Sequence, residues 1–377
     1  MKKILITLLL ALPLFGFAQK KAPKTFDLLI GNSAKDGNKA IFVYRLYAET
    51  GNLAYLSQID VAGITPFLCI SNDGKFVYAL SETDKGATLN AFKFDKVNGK
   101  LVALNSQPTG NHPTHLIIDK AQKNILVSNY GSGSLMVLPV NKDGSLGAVT
   151  QTIQDEGSSI DKERQAGPHV RSAILSPDEK RLFYADQGTD KLNIYRYKAS
   201  KIPPLTPEDP SFVSVTPGSG PGCIDFSADG KYLYLLQAMA AQVTVYSVDG
   251  AKLKPIQTVV MQAEPGFKDK LEAADMHIAP NGQYLYTSTL GKADVFNVYM
   301  ISPVDGKLTL LEYPRTMGKL PRNFTIDAAG KFVVVANEES NSINVLSIDQ
   351  KTGRLYPNRS RITDISKPVS LALVLVE

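Results

Sequence analysis

Apolar residues in this chain fall in short runs, and the runs recur in a fixed grammar. "PFLCISNDGKFVYALSE" starts at Pro66, "PTHLIIDKAQKNILVSNY" at Pro113 and "PHVRSAILSPDEKRLFYADQG" at Pro168. "PGCIDFSADGKYLYLLQ" follows from Pro221, "AADMHIAPNGQYLYTSTLG" from Ala273 and "PRNFTIDAAGKFVVVANEE" from Pro321. Each reads as a strand, a tight turn and a second strand. The turn position is Gly74, Gln122, Glu179, Gly230, Gly282 or Gly330. Pairs such as "NDG", "ADG" and "PNG" supply the positive φ of a tight hairpin at little cost. The second strands stay apolar at consecutive positions ("KFVYAL", "KYLYLL", "KFVVVA"), as strands covered on both faces do. A third strand ("LNAFKF", "LNIYRY", "QVTVYSV", "INVLSI") and a more polar fourth complete each unit. No long helical period is present.

Four-stranded units of about 50 residues, repeated around a chain, predict an all-β fold, a β-propeller. The ends set the blade count. "TFDLLIGN", "AIFVYRLY" and "LAYLSQI" supply three strands before the first full unit, and "KPVSLALVLV" supplies one after the last. That lone strand matches the first strand of every unit, leading proline included. It is expected to close the N-terminal blade as its innermost strand, giving seven blades and no open edge.

The chain has 377 residues, a length that by itself suggests two ordinary domains. The repeat replaces that expectation with one propeller domain over residues 19–377. Residues 1–18 read as a secretory signal peptide, with Lys2 and Lys3, an apolar run from Ile4 to Leu12, and small residues Gly16 and Ala18 ahead of Gln19. The apolar run is short for a bilayer span. A periplasmic or extracellular protein, with no stable membrane insertion after cleavage, is expected. The formal charge of +5 falls to about +3 once those two lysines are removed, and the remaining lysines are scattered, so no nucleic-acid partner is expected. Cys69 and Cys223 have no metal-binding spacing and make no disulfide framework, and no CxxCH signals haem. No cofactor and no bound metal are expected.

The four histidines, His112, His115, His169 and His277, all lie at or near the start of first strands, where a propeller gathers residues at one mouth of its channel. Arg171, Arg322, Asp275 and Cys223 share that region. Second strands run back to the same mouth, so the turns with Asn129 and Tyr130 and with Asp186 add polar groups. Taken singly, each motif is ordinary turn chemistry; together they predict one small-molecule site.

The stretches "HPTHLIID…SNYGSGSL", "SPDEKRLFYADQGTDKLNIYRY" and "LPRNFTIDAAGKFVVVANEESNSINVLSID" resemble the seven-bladed propeller lactonases, a family that includes 6-phosphogluconolactonase and is related to fungal carboxy-muconate cyclases. The resemblance spans about Phe26 to Glu377. It implies a lactone-opening hydrolase with a His/Arg/acid site at the mouth. Carried over, His277, His169, Asp275 and Arg322 are expected to be catalytic, and His115, Arg171, Asn129, Tyr130 and Asp186 to bind substrate. The chain departs from the family pattern at Gly222 and Cys223, where an Arg and a His are typical, and at Gln237, Ala238, Thr289 and Leu290. It departs again at Asp275, a shortened acid, and at Arg171, which replaces a histidine. Two readings therefore stay open. One is an exported hydrolase acting on an unphosphorylated sugar lactone or similar ester. The other is a non-catalytic ligand-binding or scaffold propeller of the cell envelope. The sequence leaves the oligomeric state open.

Overall fold

A computed structural model describes residues 25–34 and 40–376. The expected signal peptide lies outside the described residues. Within them, 28 strands form seven four-stranded antiparallel sheets. We number these as blades in chain order. The innermost strands of blades 2 to 7 are Leu68–Ile70, Pro113–Ile118, Val170–Leu175, Pro221–Phe226, Glu272–Ile278 and Pro321–Ile326. Blade 1 has the order Pro368–Leu375, Thr25–Asn32, Ala40–Tyr47, Leu53–Asp60, so the last strand of the chain closes it from the inside. Pro368–Leu375 runs antiparallel to Thr25–Asn32, from Phe26 opposite Leu375 to Asn32 opposite Pro368. Each innermost strand neighbours the next around a complete ring. The structure is the expected seven-bladed propeller.

Burial follows the strand order. Second strands such as Asn124–Asn129 and Phe332–Asn337 are buried at every residue, because sheets cover both faces. Outer strands such as Lys252–Val260 alternate exposed and half-buried positions, as a solvated sheet edge requires. The six aligned turn residues all adopt positive φ, including the non-glycines Gln122 (53°) and Glu179 (51°).

Neighbouring blades are pinned by a repeated aromatic staple. The buried tyrosines Tyr78, Tyr234 and Tyr286 donate their hydroxyls to the carbonyls of Gly144, Gly306 and Gly353 in the outer hairpins of the next blades. Phe76, Tyr232 and Tyr284, two residues before these tyrosines, lie flat on the same glycines. A Cβ on Gly306 would sit 2.4 Å from Tyr232 Cγ, at a φ of +69° that L-residues rarely adopt. Gly306→Ala is expected to cost about 2–5 kcal/mol, combining left-handed backbone strain of about 1–2 kcal/mol with overpacking of about 1–3 kcal/mol. A urea midpoint equal to that of the wild type would contradict this packing.

Candidate active site

The mouth of the channel is built the same way in blades 3, 4 and 7. An innermost strand begins with a bulge, opposite the last residue of the second strand: Pro113 opposite Asn129, Val170 opposite Asp186, Pro321 opposite Asn337. Those last residues are fully buried. The residue after each one donates its backbone N–H to the carbonyl ten residues before the turn: Tyr130 to His112, Gln187 to His169, Glu338 to Leu320. The geometry divides the work. The last strand residue locks the loop, and the next residue carries the side chain toward the innermost strands.

Two of the expected substrate-binding residues, Asp186 and Asn129, are fully buried. Asp186 accepts from the backbone N–H groups of His169 (2.7 Å), Gly188 (2.9 Å) and Thr189 (3.3 Å), and from the Thr189 hydroxyl (2.7 Å). Asn129 accepts from Gly110 N and donates to Ser134 Oγ. Both side chains hold their neighbours. Of the residues that adjoin these buried positions, Gln187 is itself buried and bridges Tyr130 and Arg171, and Glu338 is half-buried beside Arg322. The offset of one residue from the strand end is the sequence signal that finds them.

Around the mouth the side chains form a connected cluster. His169 Nδ1 lies 2.9 Å from the Tyr130 carbonyl oxygen, and the two rings stack with centroids 4.4 Å apart and planes 11° apart. The Tyr130 hydroxyl accepts from Gln187 Nε2 (3.1 Å), and Gln187 Oε1 accepts from Arg171 Nη1 (3.3 Å). Arg322 reaches Glu338 at 4.0 Å. Burial and the adjacent Arg171 charge pull the Arg322 pKa below its ordinary value, against the opposing pull of Glu338. His112 stands apart: it is exposed and pairs with Glu82 at 2.6 Å.

Below the mouth the channel holds two contiguous cavities. The upper, about 100 Å³, is lined by Thr114, Arg171, Arg322, His115, Cys223 and Asp275, among others. The lower, about 190 Å³, shares His115, Cys223 and Asp275 and adds Ile117, Ile174, Asp225 and His277. Position relative to the turn residue explains the layering. His169 lies ten residues before its turn, Arg171 and Arg322 eight, His115 and Asp275 seven, and His277 five. At about 3.3 Å per strand residue, His277 sits roughly 10 Å further along the channel than Arg322. The expected convergence therefore splits. Tyr130, His169, Arg171 and Arg322 gather at the mouth, His115 and Asp275 form the layer beneath, and His277 lies below both. The number of residues before the turn sets this depth, whereas the strand start sets only which end of the channel a residue is nearer.

The middle layer also fastens the blades. Asp275 Oδ2 accepts from Phe324 N (3.1 Å) and Asn323 Nδ2 (2.7 Å), Asn323 Oδ1 from Leu371 N (2.8 Å), and Ser370 Oγ from Leu68 N (3.0 Å). Ser172 donates to the Gly222 carbonyl. Asn323 and Asp225 were not among the expected site residues. Asp225 holds the next blade through Ile278 N (3.0 Å).

His277 Nε2 lies 3.1 Å from Asp275 Oδ2, and its side chain is 40% accessible despite its depth, because it faces the channel. Burial works against its charged form, but Asp275, with Asp225 behind it, outweighs burial and raises its pKa. Asp275 is correspondingly lowered, the His277 charge overcoming the effect of burial. His115 has no such partner. It packs on Phe67, and burial pushes its pKa down to about 4 from 6.5.

A histidine whose folded pKa is depressed contributes stability above its unfolded pKa and loses it as pH falls through the window between the two values. Acidification from pH 6.5 to 4.5 should therefore destabilise the wild type more than His115→Gln. Urea midpoints for both proteins at pH 7 and 4.5 check this; equal losses would contradict it.

A segment from 155 to 168 crosses the same face. Asp190 anchors it, accepting from Ser159 Oγ and Gln165 Nε2 while also receiving Gly218 N and Gly220 N. Arg164 then pairs with Glu272 of blade 6 at 2.6 Å. Cys69 and Cys223 are both unpaired, and burial raises both thiol pKa values. Among the described residues, no group of three His, Cys, Asp or Glu is placed to hold a metal, and no helix is long and apolar enough to cross a membrane.

Fold and mouth together define a seven-bladed propeller with a basic, histidine-bearing cleft of small-molecule size. The chain belongs to the family described as Lactonase, 7-bladed beta-propeller, which matches residues 27–373. It is 31% identical over 325 residues to a 6-phosphogluconolactonase of Formosa agariphila, covering 85% of this chain and 92% of the relative. It is 28% identical over 329 residues to the 6-phosphogluconolactonase of Bacillus subtilis, covering 86% and 92%. The solved structure of a Pseudomonas aeruginosa periplasmic gluconolactonase superposes with a TM-score of 0.87 at 29% identity, covering 94% of this chain and all of that one.

Proposed function

We propose that this chain is an exported lactone hydrolase that opens a sugar lactone at the mouth of the channel. One observation carries the reading: the orientation of His169, stacked on Tyr130 and linked through Tyr130 and Gln187 to Arg171. A backbone carbonyl only accepts hydrogen bonds, so the contact to Tyr130 O places the proton on His169 Nδ1. That leaves the Nε2 lone pair free, and the stacked Tyr130 ring fixes its direction. His169 thus suits the role of general base. In this mechanism His169 takes a proton from water as the water attacks the lactone carbonyl. Arg322 stabilises the oxyanion. As the tetrahedral intermediate collapses, the ring oxygen leaves and takes the proton back from His169. Arg171 binds the substrate's polar arm. His277, hydrogen-bonded to Asp275 deeper in the channel, is assigned no part in the proton transfer.

Export rests on residues 1–18 and accords with the periplasmic relative. An unphosphorylated sugar lactone suits a protein outside the cytoplasm. The family relatives named for lactonase activity favour the hydrolase over the scaffold reading.

The decisive experiment uses the mature chain beginning at Gln19 and a panel of sugar and aromatic lactones, followed by acid release. Hydrolysis of at least one sugar lactone well above the spontaneous rate is expected. Background rates across the whole panel would leave the binding-protein reading in place.

A further inference from the structure

Blade 4 departs from its neighbours where its innermost strand begins, and the departure carries His169. In blades 3, 5 and 7 the second strand ends in an amide, Asn129, Gln237 or Asn337, opposite the leading proline of the innermost strand. Two residues on, Gly131, Met239 and Glu339 donate their N–H groups to the carbonyls of Asn111, Ser219 and Lys319. The same step in blade 4 would send Gly188 N to the carbonyl of Pro168. It goes instead to the side chain of Asp186, which ends the strand there as a carboxylate. One oxygen, Oδ1, receives both Gly188 N (2.9 Å) and His169 N (2.7 Å), and so draws the two segments together. The backbone differs to match. The residue before the innermost strand takes positive φ in the other three blades (His112 45°, Gly220 62°, Leu320 57°), whereas His169 does not. Two histidines at the same place in the repeat thus face different ways: His112 reaches Glu82 of blade 2, and His169 stacks on Tyr130.

We propose that Gly188 is a positioning residue for His169: its missing side chain lets the Asp186 carboxylate pull the backbone before His169 into the one path that lays the imidazole on Tyr130 with Nε2 free. Gly188 does not adopt the positive φ that would call for glycine, so space is the reason for it. A Cβ there would lie 2.8 Å from His169 N and 2.9 Å from the Gly167 carbonyl carbon, and closer still to the Gly167 oxygen. All three are backbone atoms, which no rotamer change can move aside. On the other side the Pro168 oxygen faces Gly133 of blade 3, where a Cβ would be 2.5 Å away. The peptide that delivers His169 therefore passes between two glycines. A side chain at 188 pushes Gly167 to His169 off the turn and opens the 2.9 Å contact between His169 Nδ1 and the Tyr130 carbonyl. The role of His169 as base rests on the lactonase reading above, but its placement by Gly188 does not.

The chain has four histidines, so nitrogen NMR of the imidazoles can follow His169 directly, with His169→Gln assigning its signals. In the wild type, at a pH where the ring is neutral, His169 should carry its proton on Nδ1 and leave Nε2 bare, the tautomer that the Tyr130 carbonyl selects. In Gly188→Ala that tautomer should lose its dominance, with thermal melting as the folding control. Should the alanine variant not fold, Asp186→Asn, which gives blade 4 the amide of its neighbours, carries the same readout. Kinetics on a lactone that the wild type opens supply a second arm. Gly188→Ala should lower kcat tenfold or more with KM far less affected. In the His169→Ala background it should add little, because the group it displaces is gone. An unchanged His169 tautomer, or an equal loss of kcat with and without His169, would overturn the proposal. If the wild type opens no lactone, the functional reading fails separately, and the tautomer measurement alone decides whether Gly188 places His169.

Discussion

Removal of residues 367–377 should abolish soluble, cooperatively folding protein. The strand Pro368–Leu375 does three jobs at once. It pairs along its length with Thr25–Asn32 and completes blade 1. Through Ser370 Oγ it accepts Leu68 N of blade 2, and through Leu371 N it donates to Asn323 of blade 7. Val369, Leu371 and Val374 are buried. At about 1.5–3 kcal/mol for each buried aliphatic side chain, their loss alone approaches the total stability of a typical fold, about 5–15 kcal/mol. The lost pairing and inter-blade bonds add to it, and Thr25–Asn32 becomes an exposed edge beside the channel. Calorimetry of the truncated chain should show no cooperative transition. A melting curve like that of the full-length protein would refute closure by this strand.

At the site, the largest effect is expected from His169→Ala. Loss of a positioned general base lowers turnover by about 10²–10⁴-fold, with little change in melting temperature because the side chain lies at the rim. Arg322→Ala should lower kcat/KM by about 10²–10³-fold, as removal of an oxyanion donor does. His277→Ala serves as the contrast. It removes the hydrogen bond to Asp275 in the channel while Asp275 keeps its bonds to Asn323 and Phe324. Its effect should fall on stability, about 1–3 kcal/mol, more than on turnover. Steady-state kinetics and melts of the three variants check the assignment. If His277→Ala loses more turnover than His169→Ala, the two roles are reversed.

The repeat was legible because each blade must solve the same local problem with the same residues. The hairpin needs positive φ at one place, so glycine recurs there, and Gln122 and Glu179 were recognisable by alignment alone. Both-face burial demands unbroken apolar runs, so second strands stood out. The unmatched terminal strands could be satisfied only by each other, which fixed seven blades and closure before any coordinates. Tyr130, Arg171 and Arg322 lie at one end of the channel because strand direction alone determines which end they reach.

What the repeat could not convey was depth and facing. Asn129 and Tyr130 are adjacent in sequence, yet one is buried as a loop lock and the other faces the mouth, because a bulge at the start of that blade's innermost strand shifts the pairing by one residue. His277 and Asp275 shared a strand with the expected rim but lie progressively deeper in the channel. Contacts such as Arg164 with Glu272 and Asp190 with the 155–168 segment join residues tens to more than a hundred positions apart. Local pattern carries no information about them. The sequence by itself determined the architecture, since strand pattern, turn chemistry and blade number are set by short-range stereochemistry and by the need to leave no edge unpaired. Only the tertiary structure decided which polar side chains meet, since that depends on how seven similar blades set their differing residues around one common channel.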